Sequence, residues 1–214
     1  MIITGLVRGK FLKRYKRFFV DVALSSGEIV VAHCPNTGSM KTLIDGDVYA
    51  YLLPNDDPKR KLKYTLCLLE QESGSLSCVN TQYPNHIVKE AILNREIPEL
   101  AQFDTLRSEV KYGQENSRID LLLELGEHKT YIEVKNVTYK SPHISGLAQF
   151  PDAVTTRGLK HLHELEREVA LGNRAVMFYL VSRDDVTEFS IAAHIDPNYL
   201  SGFTHAIASG VTVL

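Results

Sequence analysis

The tightest constraint on this chain lies in residues 118–135. There a short apolar run, a polar turn and a second strand-like run follow one another. Residues 119–125 are apolar except for Asp120 and Glu124, and Gly126-Glu127-His128-Lys129 carries the turn signal. Residues 130–137 complete a pattern that predicts two strands joined as a hairpin. Side chains alternate across a strand, so Glu133 and Lys135 point to one face. Antiparallel pairing across the turn can bring Asp120 to that face too. Two carboxylates and one ammonium would then stand together.

That grouping suits phosphodiester hydrolysis. Two carboxylates can hold Mg²⁺, which keeps several waters and accepts phosphate oxygens as further ligands. A bound metal lowers the pKa of its water and neutralises phosphate charge, and a lysine beside it can orient the water or stabilise developing negative charge. The order Asp120, then Glu133-Val134-Lys135, resembles the PD-(D/E)XK nuclease superfamily. The motif is short. The same alternation also fits a solvated hairpin in which Ile132 and Val134 face the core and Glu133 and Lys135 form an ordinary polar face.

The chain has 214 residues, enough for one large domain or two small ones. Its net charge is −2, so any nucleic-acid-binding surface must be local. The three cysteines, Cys34, Cys67 and Cys78, have no CxxC spacing, which favours reduced thiols over a Cys-based zinc site. No apolar run approaches a membrane span, and Met1-Ile2-Ile3-Thr4-Gly5 does not read as a signal peptide. The expectation is a cytoplasmic protein with no membrane partner.

Residues 1–82 read as short strands at 2–8, 17–24, 28–34, 48–53, 64–72 and 76–79, with Ser25-Ser26-Gly27 as a hairpin turn. This spacing suggests a small OB-like β-barrel. Its first turn is strongly basic: Arg8, Lys10, Lys13, Arg14, Lys16 and Arg17 interleave with Phe11, Tyr15, Phe18 and Phe19. Cations for phosphate and aromatic faces for bases are what nucleic-acid binding needs, although most of the aromatics also suit a core. A second basic cluster runs Lys59-Arg60-Lys61-Leu62-Lys63. The loop from His33 to Lys41 carries Asn36, Thr37, Gly38, Ser39 and Lys41; it could cradle a phosphate or simply be a structured turn.

Residues 83–214 read as a second domain. A helix opens it, with Ile87, Ala91, Ile92 and Ile97 in helical spacing and Glu90 in its middle. A strand at 105–111, a loop at 113–117 and the hairpin follow. Residues 140–150 are polar and read as mobile. A helix at 155–170 places Leu159, Leu162, Leu165 and Val169 on its apolar side and Arg157, Lys160 and His161 elsewhere, with Gly172-Asn173 as its stop. Residues 174–181 are almost wholly apolar, as for a strand buried on both faces. A short strand within 184–193, a helix at 197–209 and a strand at 210–214 close the chain. The order α-β-β-β-α-β is the core of the PD-(D/E)XK fold, so the expected class is α+β or α/β.

Several stretches together resemble one family, the sugar fermentation stimulation protein A (SfsA) family of prokaryotes. They are Gly9-Lys10-Phe11-Leu12-Lys13-Arg14-Tyr15-Lys16-Arg17-Phe18, His33-Cys34-Pro35-Asn36-Thr37-Gly38-Ser39-Met40 and Val79-Asn80-Thr81, then Glu109-Val110-Lys111-Tyr112-Gly113 and Asn116-Ser117-Arg118-Ile119-Asp120. Glu133-Val134-Lys135-Asn136-Val137, Phe150-Pro151-Asp152-Ala153-Val154-Thr155 and Ile195-Asp196-Pro197 complete the set. The resemblance spans essentially the whole chain. It implies an OB-like domain (1–82) joined to a nuclease-like domain (83–214), DNA binding with little sequence preference, nucleoid association and a role in regulating sugar (maltose) utilisation genes. It also implies Mg²⁺ or Mn²⁺ as cofactor: Asp120 and Glu133 would be ligands, the carbonyl of Val134 a third, and Lys135 would position the water. Glu90 falls where many nucleases of this fold place an additional carboxylate, although a solvated helix face explains it equally well. Two departures stand out. Residues 140–149 are richer in Ser, His and Gly than the family connection, and Thr156 stands where an acidic residue is usual. A nuclease and a DNA-binding regulator that keeps the scaffold unused both remain open, as does a homodimer. A sugar-responsive binding module is a third reading, for which the chain has no stacking tryptophan.

Overall fold

The computed structural model describes residues 1–113 and 117–214. Residues 114–116 of the loop expected at 113–117, Asn116 included, lie outside the described residues. The strands and helices are, in order, β1 (Val7–Tyr15), β2 (Phe19–Leu24), β3 (Ile29–His33), β4 (Tyr49–Pro54), β5 (Tyr64–Glu70), β6 (Leu76–Cys78), α1 (Tyr83–Leu93), β7 (Thr105–Tyr112), β8 (Ser117–Leu125), β9 (His128–Val137), β10 (Tyr139–Lys140), β11 (Leu147–Phe150), α2 (Thr156–Ala170), β12 (Arg174–Val181), β13 (Glu188–Ile191), α3 (Pro197–Ala208) and β14 (Thr212–Val213). They group into two compact units. One holds residues 1–82, 137–153 and 181–190; the other holds 83–136, 154–180 and 191–214. The sequence division at residue 82 follows chain order, whereas in space residues 137–153 and 181–190 group with the first unit.

In the first unit β1 pairs antiparallel with β2 and β4, and β4 with β5. β3 pairs antiparallel with β2 and in parallel with β5, which closes an OB barrel of β1–β5, with β6 added on β5. Alternation builds its core: Val20 and Val22, Val30 and Ala32, and Ala50 and Leu52 all turn inward. Gly9 sits where β1 runs closest to β2. A Cβ there would come within 2.5 Å of Val22 Cγ1 and 2.7 Å of the Ala23 carbonyl oxygen, so the crossing needs glycine.

Two expectations are corrected in this unit. The basic stretch is not a turn after a strand at 2–8; it is strand β1 itself, and only Lys16, Arg17 and Phe18 form the turn. A register shift between Phe11 and Lys13 breaks the alternation, leaving Leu12 exposed, and this hid the strand from the pattern. Residues 140–150, expected to be mobile, instead hold the hairpin β10–β11. Tyr139, Leu147 and Ala148 are buried, and Ser141 Oγ accepts from the amides of His143 and Ile144 in its turn.

In the second unit the sheet order is β14-β12-β9-β8-β7. β7–β8 and β8–β9 are antiparallel, and β12–β14 is parallel. Val88 and Ile92 of α1 pack with Leu121, Leu123, Ile132, Val134 and Val176 of the sheet. α2 packs on α3, where Gly202 leaves room for Leu159. Thr155 caps α2 by accepting from Gly158 N, and Asp196 caps α3 by accepting from Tyr199 N. The second oxygen of Asp196 accepts from Thr155 N at 2.8 Å, so one buried carboxylate fixes the starts of both helices. Among the described residues no helix is long and apolar enough to cross a membrane.

Candidate functional site

The β8–β9 ladder pairs Leu121 with Ile132 and Leu122 with Tyr131. One step further the same register sets Asp120 opposite Glu133, which puts their side chains on one face as the sequence pattern required. Here the carboxylate takes over from the backbone: Asp120 Oδ2 accepts from the Val134 amide at 2.7 Å. Asp120 Oδ1 accepts from Asn85 Nδ2 of α1 at 2.7 Å. The carboxylate is therefore held from two sides.

Glu133 is 3% exposed. Its Oε1 accepts from Lys135 Nζ at 2.6 Å and meets His161 Nδ1 of α2 in a short contact. Lys135 Nζ lies 3.2 Å from the same His161 nitrogen. Glu133 Oε2 is buried and has no hydrogen-bond partner among the described residues. Tyr112, also buried, leaves its hydroxyl without a partner there. Burial raises the Tyr112 pKa, and the charges of Glu133, Glu164 and Asp120 raise it further.

The two carboxyl groups diverge electrostatically. Burial, then the charge of Glu133, pushes Asp120 up to about 6, against the pull of the Val134 amide and Asn85. Burial also works to raise Glu133. The charge of Lys135 and the hydrogen bonds from His161 and Lys135 together outweigh it and hold Glu133 low. The pair thus keeps a full negative charge on Glu133 and a proton within reach of neutral pH on Asp120.

A divalent cation fits these residues. A buried carboxylate oxygen without a partner is costly, and a repelled neighbouring carboxylate adds to the cost. One cation between Asp120 and Glu133 would relieve both. Among the described residues no group of three or more His, Cys, Asp or Glu side chains forms a ready metal-ligand set. The remaining positions would fall to water, a backbone carbonyl such as that of Val134, or substrate oxygens, which suits Mg²⁺ or Mn²⁺ better than zinc.

Asp120, Glu133 and Lys135 are therefore brought together. Glu90 is exposed on α1, whose buried residues are Pro84, Val88 and Ile92, and the α1 side chain that reaches Asp120 is Asn85. Five residues separate the two, which on a helix is about 140° of rotation. Sequence reasoning missed Asn85 and His161. Nothing marked Asn85. His161 left a faint signal: with Glu164 and Glu168 it falls on the side of α2 that also buries Leu162 and Leu165. It is buried there, contrary to the expectation that it lay elsewhere on the helix surface.

The barrel cations divide into two sets. Arg8 makes a two-pronged pair with Glu70 at 2.8 and 2.9 Å and lies over the Tyr49 ring. Lys10 pairs with Asp47, and Lys13 with Asp21 at 3.3 Å. Arg14 donates to the carbonyls of Arg17 and Asn36. Lys16, Arg17 and Lys41 are exposed. Lys16 and Arg17 hold left-handed backbone (φ 48° and 64°) at the tip of the β1–β2 turn. In the loop before Lys41, Asn36 Oδ1 accepts from Gly38 N and Ser39 Oγ donates to Asp152, each at 2.8 Å. These side chains are spent on the loop's own structure.

The chain matches two family models, described as the SfsA N-terminal OB domain over residues 12–79 and the sugar fermentation stimulation protein RE domain over residues 82–214. A sugar fermentation stimulation protein homolog of Ruegeria pomeroyi is 50% identical over 213 residues, covering 99% of this chain and 91% of that protein. One from Marinomonas sp. is 49% identical over 212 residues, covering 99% of this chain and 81% of the relative. Among solved structures, Pyrococcus furiosus SfsA in complex with Ca²⁺ superposes with a TM-score of 0.87 at 24% identity, covering 100% of this chain and 88% of the other. That last likeness speaks to the fold.

Proposed function

The chain belongs to the sugar fermentation stimulation protein family, and from that premise we propose that it binds DNA and hydrolyses its phosphodiester bonds with Mg²⁺ or Mn²⁺. The observation that carries this reading is Glu133 Oε2, buried and without a partner among the described residues, on the same sheet face as Asp120 and beside Lys135. A regulator has no need to bury a carboxylate in that condition. The solved relative described as a Ca²⁺ complex supports a hard divalent cation, since Ca²⁺ takes oxygen ligands.

The bound metal would supply charge neutralisation and an activated water. Asp120 and Glu133 would hold it. Asn85 and the Val134 amide fix the rotamer of Asp120, and His161 fixes Glu133. The Lys135 ammonium stands beside Glu133, where it can orient a water or meet negative charge on phosphate. Lys16, Arg17 and Lys41 offer exposed cations for the DNA backbone, with little sequence preference because phosphates carry none. This activity would place the protein in the cytoplasm with the nucleoid.

A second reading is a DNA-binding regulator of sugar (maltose) utilisation genes that leaves the centre unused. The family's name favours it, as does Lys135 being already engaged by Glu133 and His161. The deciding experiment is cleavage of labelled single- and double-stranded DNA with Mg²⁺ or Mn²⁺, wild type beside Lys135→Ala, with binding followed in the same samples. Metal-dependent cutting that the substitution lowers at least about 100-fold supports hydrolysis, the scale expected for loss of a positioned charge. Binding by both proteins without cutting by either supports the regulator.

A further inference from the structure

Beside the carboxylate pair lies a cavity of about 380 Å³, contained within the second unit. Its cationic side is Arg118 from β8 with Arg157 and Lys160 from α2. Arg157 and Lys160 are three residues apart on the helix and so share a face. Glu109, Ser117, Asp120 and His161 complete its lining. We infer that this cavity seats the terminal phosphate of a nucleic-acid chain, so that the proposed hydrolysis works from an end.

Several observations carry the inference. The volume falls within the range of small-molecule sites, roughly 300–1,000 Å³, a scale that suits one phosphate with its sugar rather than an enclosed duplex. A terminal phosphomonoester carries about −1.5 to −2 charge at neutral pH, as any phosphomonoester does, and an internal diester only one. Three cations around one small cavity match the former. Ser117 is among the lining residues, and its buried hydroxyl has no hydrogen-bond partner among the described residues. The positive end of α2 lies a turn away: Arg157 and Lys160 stand in its first two turns, and the first turn holds no acidic residue. Unlike Arg8, Lys10 and Lys13 of the barrel, Arg118 and Arg157 have no carboxylate partner among the described residues. Asp120 shares the cavity, so a seated end would lie directly against the carboxylate centre.

The inference rests on the hydrolytic reading for its role, but the seat itself can be measured without cutting. Single-stranded oligonucleotides of one sequence are compared in EDTA by fluorescence anisotropy: 5′-phosphorylated, 3′-phosphorylated, hydroxyl at both ends, and closed into a circle. One phosphorylated end is expected to bind about tenfold more tightly than the hydroxyl-ended strand, as charge-assisted hydrogen bonds to one phosphate would give. Which of the two ends it is reads the polarity. In the double substitution Arg157→Gln, Lys160→Gln the preference should shrink to within about twofold, while Lys160→Arg retains it. An unchanged melting temperature certifies that the substituted protein is folded. Equal binding of phosphorylated, hydroxyl and circular strands overturns the seat, as does a preference that survives the double substitution. The two readings fail separately. End preference without cleavage keeps the seat and removes hydrolysis, whereas circles cut as fast as linear strands keep hydrolysis and remove the seat.

Discussion

Replacing Asp120 by Asn should stabilise the metal-free protein at alkaline pH and abolish its response to metal. In the folded chain Asp120 is pushed up to about 6 from an ordinary 3.8, by burial first and by Glu133 second. A group whose folded pKa is raised binds its proton more tightly when folded. Its stabilising contribution is full below about pH 4 and is lost as pH rises through about 6. About two units correspond to about 3 kcal/mol at pH 8. Asn copies the protonated shape and can still accept from the Val134 amide, provided Asn85 turns its own amide over. Allowing about 1 kcal/mol for an imperfect exchange of hydrogen bonds, the net gain is about 2 kcal/mol. For a chain of this size that is an increase in Tm of about 4–8 °C. The assay is urea unfolding in EDTA, followed by tyrosine fluorescence since the chain has ten tyrosines and no tryptophan, at steps from pH 4 to pH 8. Titrating groups away from the pair are common to both proteins, so the difference curve reports Asp120 together with its coupling to Glu133. It should run from about −1 kcal/mol at pH 4, the hydrogen-bond cost alone, to about +2 kcal/mol at pH 8, with most of the change between pH 4 and pH 7. Added Mn²⁺ should then raise the wild type's stability and leave the variant's unchanged. A variant no more stable than wild type at pH 8, or a difference that does not change with pH, would refute the electrostatic account of the pair.

Asp196→Ala removes acceptors for Tyr199 N and Thr155 N together, and should cost about 2–3 kcal/mol in chemical denaturation; a loss below about 0.5 kcal/mol would contradict its role at both helix starts. Lys16→Ala with Arg17→Ala should weaken DNA binding and lower the salt slope by about 1–2, because these cations lie exposed at the turn; an unchanged slope would remove the turn from the DNA-binding surface. Arg8→Ala, which breaks a pair with Glu70 and removes the guanidinium over Tyr49, should change that slope much less. A drop as large as that of the turn variant would show that ion-paired strand cations also serve as DNA contacts.

What the sequence made legible was what depends on short periodicities. The β8–β9 hairpin, the outer strands and α1–α3 announce themselves by alternation, helical spacing, caps and stops, and alternation alone put Glu133 and Lys135 on one face. Asp120 followed from the register that the tight turn imposes. Side chains that arrive from other elements were not legible. Asn85 reaches Asp120 from a helix whose own pattern gives no reason to single out residue 85, and His161 looked like one of several polar residues of α2. Strand β1 was misplaced for a different reason. A bulge displaced its alternation, and its charges are tolerated in a strand because Glu70, Asp47 and Asp21 lie within reach to balance them. Ion pairing of that kind depends on distant residues, and no local window contains it.

The chain passes between its two units five times, after residues 82, 136, 153, 180 and 190. A protein whose modules are strung end to end can lose or exchange one by a single recombination event. Here the barrel's unit keeps two of its pieces inside the span of the other unit's sequence, so a single crossover at residue 82 would leave both halves with foreign insertions and missing strands. Inheritance of the two as one block is the expected outcome. During synthesis the barrel strands β1–β5 emerge early, but the hairpin β10–β11 and strand β13 that complete their unit are among the later parts to leave the ribosome. The last piece of the first unit is therefore made only after most of the second unit, residues 83–136 and 154–180, has been made.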